Sequence, residues 1–408
     1  MMYAIIISAA ILVICGAFAA FAAHTAKARI LVCLIGLILC GAVIAAWFFF
    51  FRTPEDNRDP WEKTLAFYDD IGTPYAEYYT DEQMNSRLAE DMVVFDGRLY
   101  VGAGDYGMNT GPLPVMSYDL KNKVWEGSEE LIQDEQIKRF EIIDGSLVIL
   151  GTDPKDGWSQ GSYYIPYDGA WETVSALPGG VHCFDAITVG DETLFGLGVT
   201  HKNSPVVRFD GEEYTPVEFL REGVCPYFSQ NEIIRVYNLF TYKGVTYAFL
   251  SLDAVDESGK KIYFMDLYAY DGESFNYVCG SLPSEDLREV AVTDSKVFFI
   301  IDNALLSSED LVNFSATSPA ADTTPIDIMN YGGNVYLLGA KPTETGGFHN
   351  AVFKLNKDGI FEIVRTFKTT SEVNSFCRDE DYFYVSLGKR DSVSETSSAG
   401  TVLKIIAE

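Results

Sequence analysis

Met92-Val93-Val94-Phe95, Asp96-Gly97, Arg98-Leu99-Tyr100-Val101-Gly102 is the stretch on which the fold turns. Two short runs rich in Val, Tyr and Phe flank an Asp-Gly pair, the composition of a tight hairpin: Gly tolerates φ > 0 and the flanking side chains fit a pleated surface. A loop follows, then Val115-Met116-Ser117-Tyr118-Asp119, a polar turn and Val124-Trp125-Glu126-Gly127. The unit Met92–Gly127 therefore reads as a four-stranded antiparallel meander.

The pattern recurs. Hairpins are expected at Phe140–Leu150 around Asp144-Gly145, Phe184–Gly198 around Gly190-Asp191, and Asn238–Leu250 around Lys243-Gly244. Three more fall at Glu289–Ile301 around Asp294-Ser295, Ile326–Leu338 around Gly332-Gly333, and Ser375–Leu387 around Glu380-Asp381. With the template these make seven hairpins, spaced roughly 38 to 54 residues apart, and third and fourth strands such as Tyr164–Tyr167 and Trp171–Val174 follow them. Four strands per period of this size predict an all-β, seven-bladed β-propeller. The last unit ends at Thr401–Ile406 with no room for a fourth strand. Trp61-Glu62-Lys63-Thr64-Leu65-Ala66-Phe67 matches the aromatic-led fourth strands, so it is expected to pair there and close the ring, removing an exposed edge.

A strand, Gly-x-Leu-Tyr-Val-Gly, a loop, aromatic-Asp-Gly and then Trp a few residues on resembles the kelch-type propeller repeat over roughly residues 61–408. The diagnostic Gly-Gly after the second strand survives only in forms such as Gly102-Ala103-Gly104 and Gly196-Leu197-Gly198. Leu306–Phe314, with Ser308, Asp310 and Asn313, is similar to a degenerate Asp-box, the turn of sialidase-type propellers.

Residues 1–52 contain no acidic residue and only Lys27, Arg29 and Arg52, so the remaining chain sets all 59 acidic residues against 27 basic ones, a net charge of about −32. Such a surface repels nucleic acid. Apolar stretches at residues 3–23 and 30–51 are each long enough for a helix to cross a ~30 Å hydrocarbon layer. They predict a two-helix membrane hairpin over residues 1–51, a linker over 52–60, and a domain from 61 to 408. The turn holding Lys27 and Arg29 would be cytoplasmic and the domain extracytoplasmic, a multi-pass arrangement at the cell membrane. In a rival reading the first stretch is a signal peptide cleaved before His24. The seven cysteines show no CxxC or metal-ligand spacing, which favours buried free thiols.

In a meander the second-to-third loops share a face with the connections between units, and several here are long. Their side chains Asp105, Tyr106, Trp158, His201, Asp253, Asp256 and His349 are the candidate binding residues. Asp253–Gly259 lacks the spacing and distal Glu of a calcium loop, and no metal or cofactor motif occurs. Function is expected to be a scaffold engaging a protein or a glycan. The alternative is an enzyme: a sialidase-like glycoside hydrolase would need arginines to clamp a carboxylate, and Arg139, Arg235, Arg288 and Arg378 lie near first strands; an oxidase would need Tyr, His and Cys to converge at the ring axis.

Overall fold

A computed structural model describes residues 59–155, 160–200, 204–220, 233–255, 260–282, 287–320, 322–388 and 398–407. A helical turn, α1 (Pro60–Lys63), leads into β1 (Tyr68–Gly72), a 3-10 segment Asp81–Arg87, and then successive antiparallel meanders. The first comprises β2 (Asp91–Phe95), β3 (Arg98–Gly102), β4 (Leu113–Asp119) and β5 (Val124–Ile132). The second is β6 (Asp134–Ile143), β7 (Ser146–Pro154), β8 (Gln160–Tyr167) and β9 (Ala170–Pro178). The third is β10 (His182–Val189), β11 (Glu192–Thr200), β12 (Val206–Phe209) and β13 (Tyr214–Pro216), after which β14 (Glu218–Leu220) runs parallel to the outer edge of the next unit. That unit is β15 (Ile233–Tyr242), β16 (Val245–Val255), β17 (Lys261–Tyr270) and β18 (Ser274–Leu282). The fifth is β19 (Leu287–Val292), β20 (Val297–Ile301), β21 (Ala304–Ser308) and β22 (Ser315–Ala316). The sixth is β23 (Thr324–Tyr331), β24 (Asn334–Pro342), β25 (Phe348–Leu355) and β26 (Phe361–Thr369). The last consists of β27 (Val373–Arg378), β28 (Tyr382–Leu387), β29 (Val402–Ile406) and, from the other end of the domain, β1.

Turn chemistry explains why the repeats look alike. Asp96 and Gly97 adopt φ of 45° and 73°, both positive as a type I′ turn demands. The aromatic-Asp signal marks third-to-fourth turns whose Asp carboxylate caps backbone N–H groups: Asp119 accepts from Lys121 and Asn122, Asp210 from Glu212 and Glu213, and Asp271 from Glu273 and Ser274. In the Asp-box-like turn, Asp310 accepts from the N–H groups of Val312 and Asn313, while Ser308 Oγ accepts from that of Leu311. The glycine closing the second strand has a packing reason. A Cβ on Gly102 would lie 2.5 Å from Ile137 O, so the first strand of the following meander can approach only a bare Cα.

Each meander buries its faces against both neighbours. One apolar cluster joins Val101 and Leu99 of the first unit to Ile149 of the second and Tyr384 and Val402 of the last; others continue unit by unit around the domain. The first strands follow one another in space in the order β2, β6, β10, β15, β19, β23, β27, and β27 lies beside β2, so they form a closed cycle.

Two expectations are corrected. The closing strand is not Trp61–Phe67. Pro60 starts a helical turn, Thr64 Oγ1 donates to Pro60 O, and Trp61 is buried against Phe353 and the His349 ring, between the fifth and sixth units. Tyr68–Gly72 does the pairing instead, Tyr68 opposite Ile405 and Gly72 opposite Val402. The multi-pass membrane assignment is also overturned: among the described residues no helix is long and apolar enough to cross a membrane, for the helical segments are single turns or short 3-10 pieces. The proposed spans at 3–23 and 30–51 themselves lie outside the described residues.

Candidate functional site in the central channel

The first strands enclose a cavity of about 460 Å³. Its lining is set by bulges. Every first strand after β2 contains one, and the extra residue, paired with nothing on the neighbouring strand, faces the cavity. These residues are Lys138, Phe184, Tyr237, the pair Arg288 and Glu289, Ile326, and the pair Asn374 and Ser375.

A carboxylate recurs on the inner strands, just beyond the bulges of β10 and β23 and at the start of the unbulged β2. Asp91, Asp185 and Asp327 each accept the N–H of their own next residue on Oδ1, from Met92, Ala186 and Ile328. Their Oδ2 atoms accept from the next unit, from the N–H groups of Phe140 (2.8 Å), Leu239 (2.6 Å) and Phe376 (3.0 Å). These aspartates staple the inner strands together. The second unit has Arg139 at this level, and its guanidinium reaches Asp185 at 3.1 Å and crosses to Glu289 on the fifth unit. Glu141 lies at 4.0 Å.

Burial dominates the titration of Asp91, Asp327, Glu289 and Glu141. It pushes Asp91 up to about 6 against the pull of the Phe140 N–H and Arg139, and Asp327 to about 7 against that of the Phe376 N–H. Burial likewise raises Glu289 to about 8 despite Arg139, and moves Glu141 upward with help from the Asp185 charge. Because about a third of the Glu289 side chain is exposed, its shift counts for less in stability than a fully enclosed acid's.

A pH dependence follows. Acids with raised folded-state pKa values stabilise the fold at low pH and lose that contribution as pH climbs through 6 to 8. His182, held down at about 4 chiefly by burial, acts oppositely, but only below its unfolded value of about 6.5. Between pH 8.5 and 6.5 the raised carboxyls act in the same direction as the buried Cys183 and Cys377 thiols, which burial also raises. Acidification over that window should raise the melting temperature by roughly 2–6 °C, and the double variant Glu289→Gln, Asp327→Asn should flatten the slope. Calorimetry showing a slope of the opposite sign would refute this account of the channel.

Of the residues singled out on the loop face, Asp105 and His349 have described side chains, and each is engaged in its own surroundings. Asp105 caps its own turn, its Oδ1 accepting from the Gly107 N–H, and Tyr106 begins the 3-10 segment Tyr106–Met108 beside it. His349 stacks on Trp61 with ring centres 4.6 Å apart, and Asp253 belongs to β16. Trp158, His201 and Asp256 lie outside the described residues. Of the four arginines, Arg139, Arg288 and Arg378 line the channel together, each already making contacts of its own. Arg139 is committed to Asp185 and Glu289, while Arg378 donates to the Asp379 and Glu380 carbonyls and rests on the Tyr331, Tyr336 and Phe383 rings. Arg288 lines the channel, and Arg235 stands beside His182. Cys183 and Cys377 are buried free thiols and Cys279 is a half-buried one. Among the described residues no three His, Cys, Asp or Glu side chains are placed to hold a metal ion.

The channel carboxylates were missed in the sequence, although a signal existed: Asp91-Met92, Asp185-Ala186 and Asp327-Ile328 occupy equivalent places in their repeats, each an acid just before an apolar residue.

No known family and no curated protein matches the chain. Solved structures do. Virginiamycin B lyase from Staphylococcus aureus, in selenomethionine form, aligns over 83% of this chain and 99% of its own, at 11% identity and a TM-score of 0.50. The fold is propeller-like. A luciferin-regenerating enzyme covers 83% of this chain and 95% of its own at 12% identity and a TM-score of 0.41. A candidate 6-phosphogluconolactonase from Bacteroides fragilis covers 73% and 90% at 11% identity and 0.44. The propeller-like neighbours thus include enzymes, at identities that speak to fold alone.

Proposed function

We propose that the domain is a seven-bladed propeller of degenerate kelch-type units, closed between its two ends, which binds a small polar molecule in its central channel. The observation that carries this reading is the series of bulges. Six inner strands in succession break their ladders at the level where the extra residue lines one cavity, and bulges that re-aim side chains cluster beside functional sites. The cycle of inner strands and the β1–β29 pairing support the blade count and closure. A rim that engages a protein or a glycan has less behind it, because Asp105 and His349 already serve their own turn and core.

The chemistry available to a bound molecule is proton exchange. Glu289 and Asp327 titrate near neutrality, where a carboxyl both gives and takes a proton readily. Thermal-shift screening of polar small molecules should yield compounds that raise the melting temperature at 100-fold excess over Kd, where binding contributes about 2.7 kcal/mol. Met329 lines the cavity, and Met329→Trp should abolish those shifts by filling it. Compounds that stabilise the variant equally would move the site elsewhere.

A further inference from the structure

Arg139 spans the axis of the channel, and its two ends are held unequally. Its Nη1 lies 3.1 Å from Asp185, whose side chain is only 5% exposed and is fixed by the N–H groups of Ala186 and Leu239. Its Nη2 donates to Glu289, which is 36% exposed and stands on the bulge of β19. Among the described residues the Glu289 carboxylate accepts a hydrogen bond from nothing else. One end is a fixed post and the other a movable arm.

Arg139 and Glu289 both line the cavity, so their contact bars it from the second unit to the fifth. Were Glu289 to swing away, the guanidinium would keep Asp185 and would still have Glu141 at 4.0 Å. Release therefore strands no buried cation, the outcome that makes breaking such pairs costly. Only one charge-assisted hydrogen bond is given up.

A proton is what weakens that bond, because a neutral carboxyl accepts from a guanidinium less strongly than a carboxylate does. Burial is the largest influence on Glu289 and favours its protonated form; Arg139 of β6 opposes this, and Asp327 of β23, Asp91 of β2 and Asp185 of β10 add to it. Arg288, the neighbour of Glu289 on β19, favours charge on Asp327. The remaining titratable and charged groups around the cavity are Tyr237 of β15 and Arg378 of β27, the latter seated on aromatic rings. The balance brings Glu289 up to about 8, so the arm is charged above that pH and neutral below it.

We propose that Arg139 and Glu289 form a proton-released latch: with Glu289 charged the pair bars the channel, and with Glu289 protonated the arm swings aside and admits a small polar molecule. The inference rests on the channel reading above and adds its regulation. Asp185 keeps the guanidinium in place in both states, so only the Glu289 end moves.

The test is NMR of the full chain with labelled arginine guanidinium groups and methionine methyls, at about pH 6.5 and 9.5, on either side of the Glu289 transition. Acetamide, which carries no charge at either pH, is the probe, and Met329 in the cavity wall reports its entry. The Arg139 Nη groups should rotate and exchange faster at the lower pH, and acetamide should bind about tenfold or more tightly there, the factor that losing a charged hydrogen bond commonly brings. Glu289→Gln should show the faster Arg139 motion and the tighter binding at both pH values. Glu289→Asp, charged but one methylene shorter, should also stay open at both. Arg139 signals that ignore pH, or a transition that survives in Glu289→Gln, would overturn the latch. Acetamide moving Met329 equally at both pH values would overturn it too and leave the channel reading standing. No movement of Met329 in any form, the open variants included, would count against the channel reading itself and take the latch with it.

Discussion

A chain starting at residue 59 is expected to unfold in one cooperative transition, and a chain starting at residue 73 to lose that transition altogether. The difference is α1, with its buried Trp61, and β1. Without β1, β29 becomes an unpaired edge, the last meander keeps three strands, and the stitching between the last and first units goes too. Trp125 Nε1 donates to Ile71 O at 2.6 Å. An exposed edge invites pairing with other chains, so the shorter form should also aggregate. Thermal unfolding with size-exclusion chromatography reads both effects. Melting within a few degrees of the longer form would show that closure contributes little.

Arg139→Met is expected to cost on the order of 3–5 kcal/mol at pH 8, the usual penalty for stripping a buried carboxylate of its partner. The guanidinium holds Asp185 and Glu289 on separate units and is itself only 12% exposed, so methionine fills the space and leaves the acids facing one another. The loss should shrink at pH 5.5, because Glu289 and Glu141, raised by burial, then carry protons. Adding Glu289→Gln should recover part of the loss, giving a double-mutant cycle with strong coupling. Denaturant unfolding at both pH values decides it. A single-variant cost below about 1 kcal/mol at pH 8, or additive effects, would mean the bridge across the channel is incidental.

Local signals carried most of the architecture. Asp96-Gly97, Asp144-Gly145, Lys243-Gly244 and Gly332-Gly333 all turn between the strands expected of them, because positive φ is a property of the residues in the turn itself. The aromatic-Asp steps and the Asp-box-like turn are legible for the same reason: Asp119, Asp210, Asp271 and Asp310 bond to backbone only a few residues ahead.

What the sequence left open depends on partners far along the chain. Trp61–Phe67 and Tyr68–Gly72 both carry aromatic and apolar residues, and Val402–Ile406, more than 300 residues away, selects the second because Trp61 finds a better burial site beside Phe353. The channel is the same kind of problem. A bulge exists only relative to the strand it pairs with, so the exposure of Lys138, Phe184 and Tyr237 to one cavity could not be read from their neighbours in sequence. The repeats determined that similar four-stranded antiparallel meanders would follow one another along the chain. The closed ring alone decided that Arg139 of one unit would face Glu289 of another across the axis, since that contact requires all the intervening units to be in place.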